Sequence, residues 1–174
     1  MDYQAILNVI EKDLKSFDPG GKAPDYIPEL AKIPADKFGM HLYCLDGKNF
    51  SFGDHDERFS IQSISKVFTL ALAKKHGGKK IWKRVDVEPS GDPFNSLLQL
   101  EKENGIPRNP FINAGSLVIA DILISELENP KEYLLEFVRE ISDDPTIEYD
   151  EKVAASEYQH GYRNIALVNY MKSL

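Results

Sequence analysis

Strand-forming sequence is confined to one short region of this chain, and that shortage limits the folds open to it. Phe38-Gly39-Met40-His41-Leu42-Tyr43-Cys44-Leu45 reads as a strand, Asp46-Gly47 as a hairpin turn, and Asn49-Phe50-Ser51-Phe52 as the returning strand. Elsewhere the apolar spacing is helical. Ile6, Leu7, Val9, Ile10, Leu14 and Phe17 predict an amphipathic first helix closed by Asp18-Pro19-Gly20-Gly21. Pro24 to Pro28 forms an extended link carrying Tyr26. A second helix starts around Ser63, runs to about Lys75 and ends at His76-Gly77-Gly78. Trp82 to Asn95 is mostly loop, with turn signals at Pro89-Ser90-Gly91-Asp92-Pro93. Ala114 to Leu127 predicts a helix with a tightly packed, small-residue start. Asn129-Pro130 opens another, with Leu134, Leu135, Val138 and Ile141 on one stripe. One last helix runs from about Asp150 to the final residues. The expectation is an α+β chain of two strands and five or six helices, forming a single domain over residues 1–174. A lone hairpin is marginal in water, because a sheet needs further strands to cover its edges. The missing strands are expected from another chain or from a longer protein.

At 174 residues the chain can bury one sizeable core. Its net charge of -7 argues against nucleic acid and against anionic membranes as partners. The single cysteine, Cys44, has no internal partner for a disulfide, which suits a reducing cytoplasm. The start lacks a basic leader, and Ala5 to Ile10 is too short to span a membrane. A cytoplasmic protein is expected.

One local pattern carries chemistry. In Phe59-Ser60-Ile61-Gln62-Ser63-Ile64-Ser65-Lys66-Val67-Phe68, Ser63 and Lys66 lie three residues apart and therefore on one helical face. Ser63 is expected in the first helical turn, where unpaired N–H groups and the positive dipole end favour an oxyanion. Lys66, partly desolvated by Val67, Phe68 and Leu70, could shed its proton and act as the serine's base. The plainer alternative makes Ser63 a helix cap and Lys66 a solvated surface lysine. No other lysine of the chain has a serine three residues before it.

Other signals are weaker. His41, His55, His76 and His160 lack metal-ligand spacing, and Asp54-His55-Asp56-Glu57 reads as a solvated turn, so no metal is expected. Gly77-Gly78-Lys79-Lys80 lacks the arrangement of a phosphate-binding loop. Tyr162-Arg163-Asn164 imitates the Ser-x-Asn element of penicillin-recognising enzymes, but no Lys-Thr-Gly follows it.

The surroundings of Ser63 resemble the nucleophile segment of the glutaminase family. Further blocks follow in that family's order: Asp25-Tyr26-Ile27-Pro28-Glu29-Leu30-Ala31, Glu88-Pro89-Ser90-Gly91-Asp92-Pro93-Phe94-Asn95-Ser96, Arg108-Asn109-Pro110-Phe111-Ile112-Asn113-Ala114-Gly115, and Ala155-Ser156-Glu157-Tyr158 with Arg163-Asn164. The resemblance implies hydrolysis of L-glutamine to L-glutamate and ammonia, with no cofactor, by a homo-oligomer (dimer or tetramer). It also implies a β-lactamase/transpeptidase-like fold, an antiparallel sheet with flanking helices beside a helical lobe. By motif, Ser63 is the nucleophile and Lys66 its base. Tyr26, Gln62, Asn113, Glu157 and Asn164 match substrate-contacting positions.

The chemistry of these side chains agrees. A pocket for glutamine needs an acceptor for its α-ammonium and donors for its α-carboxylate. Glu157 can take the first, and the amides of Asn113 and Asn164 with the Tyr26 hydroxyl can take the second. On a single last helix, Glu157 and Asn164 would stand two turns apart on one face, roughly 10 Å between Cα atoms. Without the resemblance, Asn113 reads as a cap, Glu157 as a solvated carboxylate and Tyr26 as packing. Glutaminases continue beyond the position of Leu174 with a segment expected to supply the remaining strands and one oxyanion-hole N–H. Two other accounts therefore stand beside the enzyme: an incompetent fragment acting as a folding or oligomerisation module, and a penicillin-recognising serine enzyme.

Overall fold

The computed structural model describes residues 1–17 and 20–174, and it separates into two compact units, Met1–Ser60 and Ile61–Leu174. The expected closure of the first helix at Asp18 and Pro19 lies outside the described residues.

In the first unit, helix α1 (Tyr3–Leu14) begins where the Asp2 carboxylate accepts the Ala5 N–H at 3.0 Å, an N-cap. Leu7 is buried and Ile10 and Leu14 are half-buried, while Ile6, Val9 and Phe17 stay exposed. The apolar stripe is thus narrower than its sequence suggests. It faces the hairpin, where the Gln4 amide donates to the Ser51 carbonyl at 3.2 Å and the Tyr3 and Phe50 rings meet at 5.6 Å.

The strands are β1 (Gly39–Tyr43) and β2 (Asn49–Gly53), antiparallel, with Gly39 opposite Gly53 and Tyr43 opposite Asn49. The connection is tightened around residues 45–47: the Gly47 N–H donates to the Cys44 carbonyl at 2.9 Å, with Gly47 at φ +84°. At the open end Gly53 has φ +68°, and a Cβ there would fall 2.1 Å from the Phe38 carbonyl oxygen. Only glycine meets both conditions. Among the described residues the sheet has these two strands, so both of its edges are unpaired.

The second unit is helical. Helix α2 (Ser65–Gly77) is followed by a 3₁₀ segment, Gly78–Lys83, entered through Gly78 at φ +58°. Helix α3 (Leu97–Lys102) is capped by the Ser96 hydroxyl on the Gln99 N–H at 3.2 Å. Helices α4 (Asn113–Glu126) and α5 (Pro130–Ser142) follow, the latter opened by Pro130 in its first turn and stopped by Asp143 in the left-handed conformation. The final segment is two helices, α6 (Glu151–His160) and α7 (Tyr162–Lys172), rather than the single helix expected from sequence. The break falls at Gly161, with ψ +35°, where an added Cβ would stand 2.9 Å from the Glu157 carbonyl oxygen. Helix α3 was not expected at all. A six-residue helix offers less than two turns of periodicity to read.

Two apolar clusters hold this unit. Leu72 and Ala73 of α2 pack with Val118, Ile119, Ile122 and Leu123 of α4, with Ile81 of the 3₁₀ segment and with Val85 just beyond it. Leu134 and Phe137 of α5 lie against this cluster, but Ile141, assigned to the same stripe, is 52% exposed. Leu100, Ile112, Ala114 and Leu167 form the second cluster, and Met171 of α7 packs against both. Each fully buried Leu or Ile contributes about 1.5–3 kcal/mol of transfer free energy. The clusters therefore fix α4 between α2 and α7. That places the first turn of α4 beside the first turn of α2.

Candidate active site

Ser63 lies on a 3₁₀ turn, Gln62–Ile64, immediately ahead of α2, and not in its first α-helical turn as expected. The cause is Gln62, whose backbone is left-handed at φ +46°. A side-chain-bearing residue there costs of order 1–3 kcal/mol, strain of the kind that clusters at functional sites. The turn is held by the Ser65 hydroxyl donating to the Gln62 carbonyl at 2.6 Å and by the Ile64 N–H donating to the Ile61 carbonyl at 3.0 Å. Ser63 is exposed and Lys66 half-buried.

The Lys66 amine crosses to the start of α4. Its Nζ donates to the Phe111 carbonyl at 3.0 Å and to Asn113 Oδ1 at 2.7 Å. Burial pushes the Lys66 amine below the usual lysine range, and the negative charge of Glu157 opposes that shift. A neutral amine has two N–H donors and one lone pair. With both donors engaged by these oxygens, the lone pair is the position left for a hydroxyl proton. Among the described residues no hydrogen bond joins Ser63 to Lys66, and unliganded catalytic pairs are often this loose.

Asn113 is the first residue of α4, and its side chain serves the site rather than capping the helix. With Lys66 Nζ donating to it, Oδ1 of Asn113 faces the amine and Nδ2 faces Asn164, donating to Asn164 Oδ1 at 3.0 Å. The Asn164 amide oxygen is thereby the atom that meets Asn113, and its nitrogen takes no part in that bond. The Asn113 N–H is itself anchored on the Phe94 carbonyl at 2.8 Å, and Arg163 reaches Asn95 Oδ1 at 3.3 Å.

Gln62, Ser63, Lys66, Asn113, Glu157 and Asn164 thus all belong to the second unit, and three of them form one hydrogen-bonded chain. Glu157 ends up on α6 and Asn164 on α7, so their separation is not the two-turn spacing of one helix. Tyr26 belongs to the first unit, where its side chain is 68% exposed. Sequence reasoning missed the Phe111 and Phe94 carbonyls, because backbone acceptors leave no mark in residue identity. A concavity of about 320 Å³ in the first unit, bordered by Tyr3, Cys44, Asp46, Lys48 and Phe50, contains none of the site residues.

The α+β architecture, with its incomplete two-stranded antiparallel sheet, matches the β-lactamase-like fold of solved glutaminases. A family profile described as Glutaminase matches residues 21–174. A glutaminase of Christiangramia forsetii is 65% identical over 174 residues, covering all of this chain and 57% of the relative. A solved probable glutaminase matches with a TM-score of 0.87 and 30% identity, over 99% of this chain and 57% of that one. The Bacillus subtilis glutaminase in covalent complex with 5-oxo-L-norleucine, formed by its reaction with 6-diazo-5-oxo-L-norleucine, matches with a TM-score of 0.72 and 32% identity over 88% of this chain and 47% of that one. The chain belongs to the glutaminase family. It spans about half the length of the relatives it matches.

Proposed function

We propose that this chain carries the nucleophile, the base and most of the amino-acid-binding side chains of a glutaminase acting on L-glutamine. The supporting observation is the half-buried Lys66 amine, held by the Phe111 carbonyl and Asn113 and lowered in pKa three residues from Ser63. Ser63 Oγ attacks the side-chain amide carbon of glutamine as Lys66 takes the hydroxyl proton. Backbone N–H groups at the start of α2 receive the oxyanion. Lys66 then returns the proton to the leaving nitrogen, releasing ammonia and an acyl-serine. Water, deprotonated in turn by Lys66, releases L-glutamate and restores Ser63.

Glu157 receives the substrate ammonium, while Asn164 and Asn113 donate to its carboxylate and Gln62 borders the reacting amide; Tyr26 is assigned to substrate contact by its motif alone. The two unpaired edges of the β1–β2 sheet support residues 1–174 as part of one larger catalytic domain and a homo-oligomeric assembly. The lone cysteine supports a cytoplasmic setting. Those same open edges, in a chain half the length of its relatives, favour as second reading a module that associates without turnover.

Reaction with 6-diazo-5-oxo-L-norleucine separates the two. Peptide mapping after intact-mass analysis should find the adduct, formed with loss of dinitrogen, on Ser63 and not in Ser63→Ala. Ammonia release from glutamine should follow the same dependence. An unlabelled Ser63 in the folded chain would leave the association module as the surviving account.

A further inference from the structure

We propose that Asn109 is a positioning residue for the Lys66 amine, acting through the Phe111 carbonyl; the inference rests on the reading of Lys66 as the base. Asn109 makes three hydrogen bonds from one side chain. Its Oδ1 accepts the Phe111 N–H at 2.9 Å and the Ile112 N–H at 3.2 Å, and its Nδ2 donates to the Glu88 carbonyl at 2.8 Å. The first two fold the chain into an Asx turn directly before α4, where Asn is suited because its side chain imitates a backbone acceptor. The third ties that turn to the segment at residues 86–88, which also pairs with this loop through Asp86 N–H to Pro107 O at 2.8 Å and Glu88 N–H to Arg108 O at 2.9 Å.

The Asx turn decides where the next carbonyls point. With the Phe111 and Ile112 N–H groups drawn to Asn109, the Phe111 carbonyl is presented to Lys66 Nζ at 3.0 Å, and Asn113 follows as the first residue of α4 with Oδ1 2.7 Å from the same amine. The turn is also seated from behind. A Cβ on Gly115 would stand 1.9 Å from the Asn109 carbonyl oxygen and 2.9 Å from Pro110 Cα, so the loop backbone rests directly on the first turn of α4. Both acceptors of the Lys66 amine are therefore placed by one loop, and Asn109 is the side chain that sets its shape. Asn109 touches no reacting atom in this arrangement. Its effect is carried by the direction of a carbonyl.

The test reads the amine itself. In the full chain labelled with ¹⁵N-lysine, the exchange of the Lys66 Nζ protons with water is measured at low temperature without substrate. Asn109→Ala should speed this exchange by about fivefold, the worth of one hydrogen bond. Asn109→Asp keeps the acceptor for both N–H groups and should stay within about twofold of the native rate. Ile119→Val, a core truncation that leaves the loop intact, reports lost stability alone and should leave the exchange at the native rate. Lys66 exchange unchanged in a folded Asn109→Ala, or raised equally by Ile119→Val, would overturn the proposal; so would Asn109→Asp exchanging as fast as Asn109→Ala. Native Ser63 failing to react with 6-diazo-5-oxo-L-norleucine would instead overturn the functional reading, because the exchange rates are obtained without turnover.

Discussion

Replacing Gly115 by alanine sets two opposing effects against each other at one position. In a helix interior, glycine is worth about 1 kcal/mol less than alanine, so an unobstructed Gly→Ala change in α4 should stabilise. The obstruction here is backbone. The new Cβ would lie 1.9 Å from the Asn109 carbonyl oxygen, 2.8 Å from its carbonyl carbon and 2.9 Å from Pro110 Cα, and no rotamer change relieves a Cβ clash. Overpacking of this kind costs about 1–3 kcal/mol. Displacing Asn109 also weakens its hydrogen bonds to Phe111, Ile112 and Glu88, each worth about 1 kcal/mol net. The sum favours destabilisation by about 2 kcal/mol, or a fall in Tm of roughly 4–8 °C for a chain of this length. Gly91 supplies the contrast, since a Cβ there meets nothing within 4 Å and its φ is not positive. Thermal unfolding followed by circular dichroism should show Gly115→Ala melting early and Gly91→Ala at or slightly above the native temperature. A Gly115→Ala protein as stable as the native chain would show that the loop yields freely, and the reasoning about its seating on α4 would be wrong.

The lowered pKa of Lys66 has a pH signature. A lysine whose folded pKa lies below its unfolded value of 10.5 binds fewer protons when folded, so stability rises with pH between the two values. Denaturant midpoints should climb through that window in the native chain and stay flatter in Lys66→Met; equal slopes would contradict the assigned burial. Above about pH 10 the raised pKa of Tyr149 acts in the opposite sense, which confines the comparison to lower pH. Glu157→Gln removes the one charge that holds the Lys66 pKa up, so the NMR titration midpoint of Lys66 should fall. A midpoint that stays where it is would place Glu157 outside electrostatic reach. Leu100 is 1% exposed at the centre of the second cluster, and Leu100→Ala should cost about 2–5 kcal/mol in chemical denaturation, against under 1 kcal/mol if the cluster were loose.

What the sequence disclosed follows from the range of each signal. The hairpin was readable because turn chemistry at Asp46-Gly47 and alternation at Phe50 and Phe52 are local. Helices α1 and α5 were readable because a one-sided apolar periodicity runs along them, and α2 and α4 because long apolar runs stand between turn signals. The Gly161 break was not: this glycine lacks a positive φ, and the apolar spacing on either side continues in phase. Ile141 was placed on a buried stripe that α5 presents only as far as Phe137, since periodicity fixes a face but not how far a neighbour covers it. At the site, spacing offered Ser63 and Lys66 and the family resemblance added Asn113 and Asn164, while the orientation of the amides emerged only with the Lys66–Asn113–Asn164 chain assembled. The left-handed Gln62 left no trace, because glutamine is an unusual occupant of that backbone region.

Met171 packs against both apolar clusters of the second unit, and it lies in the last turn of α7. During synthesis the first cluster can assemble once α4 and α5 have emerged, but the second needs Leu167, and the seam between them needs Met171. The ribosome therefore has to release this final turn before the unit can close. Until then Leu100, Ile112 and Ala114 remain uncovered on the nascent chain, along with the start of α4 that carries Asn113. Formation of the second cluster, and not of the first, therefore covers the stretch that leads into Asn113, and cleavage shortly before residue 167 would leave Leu100, Ile112 and Ala114 exposed.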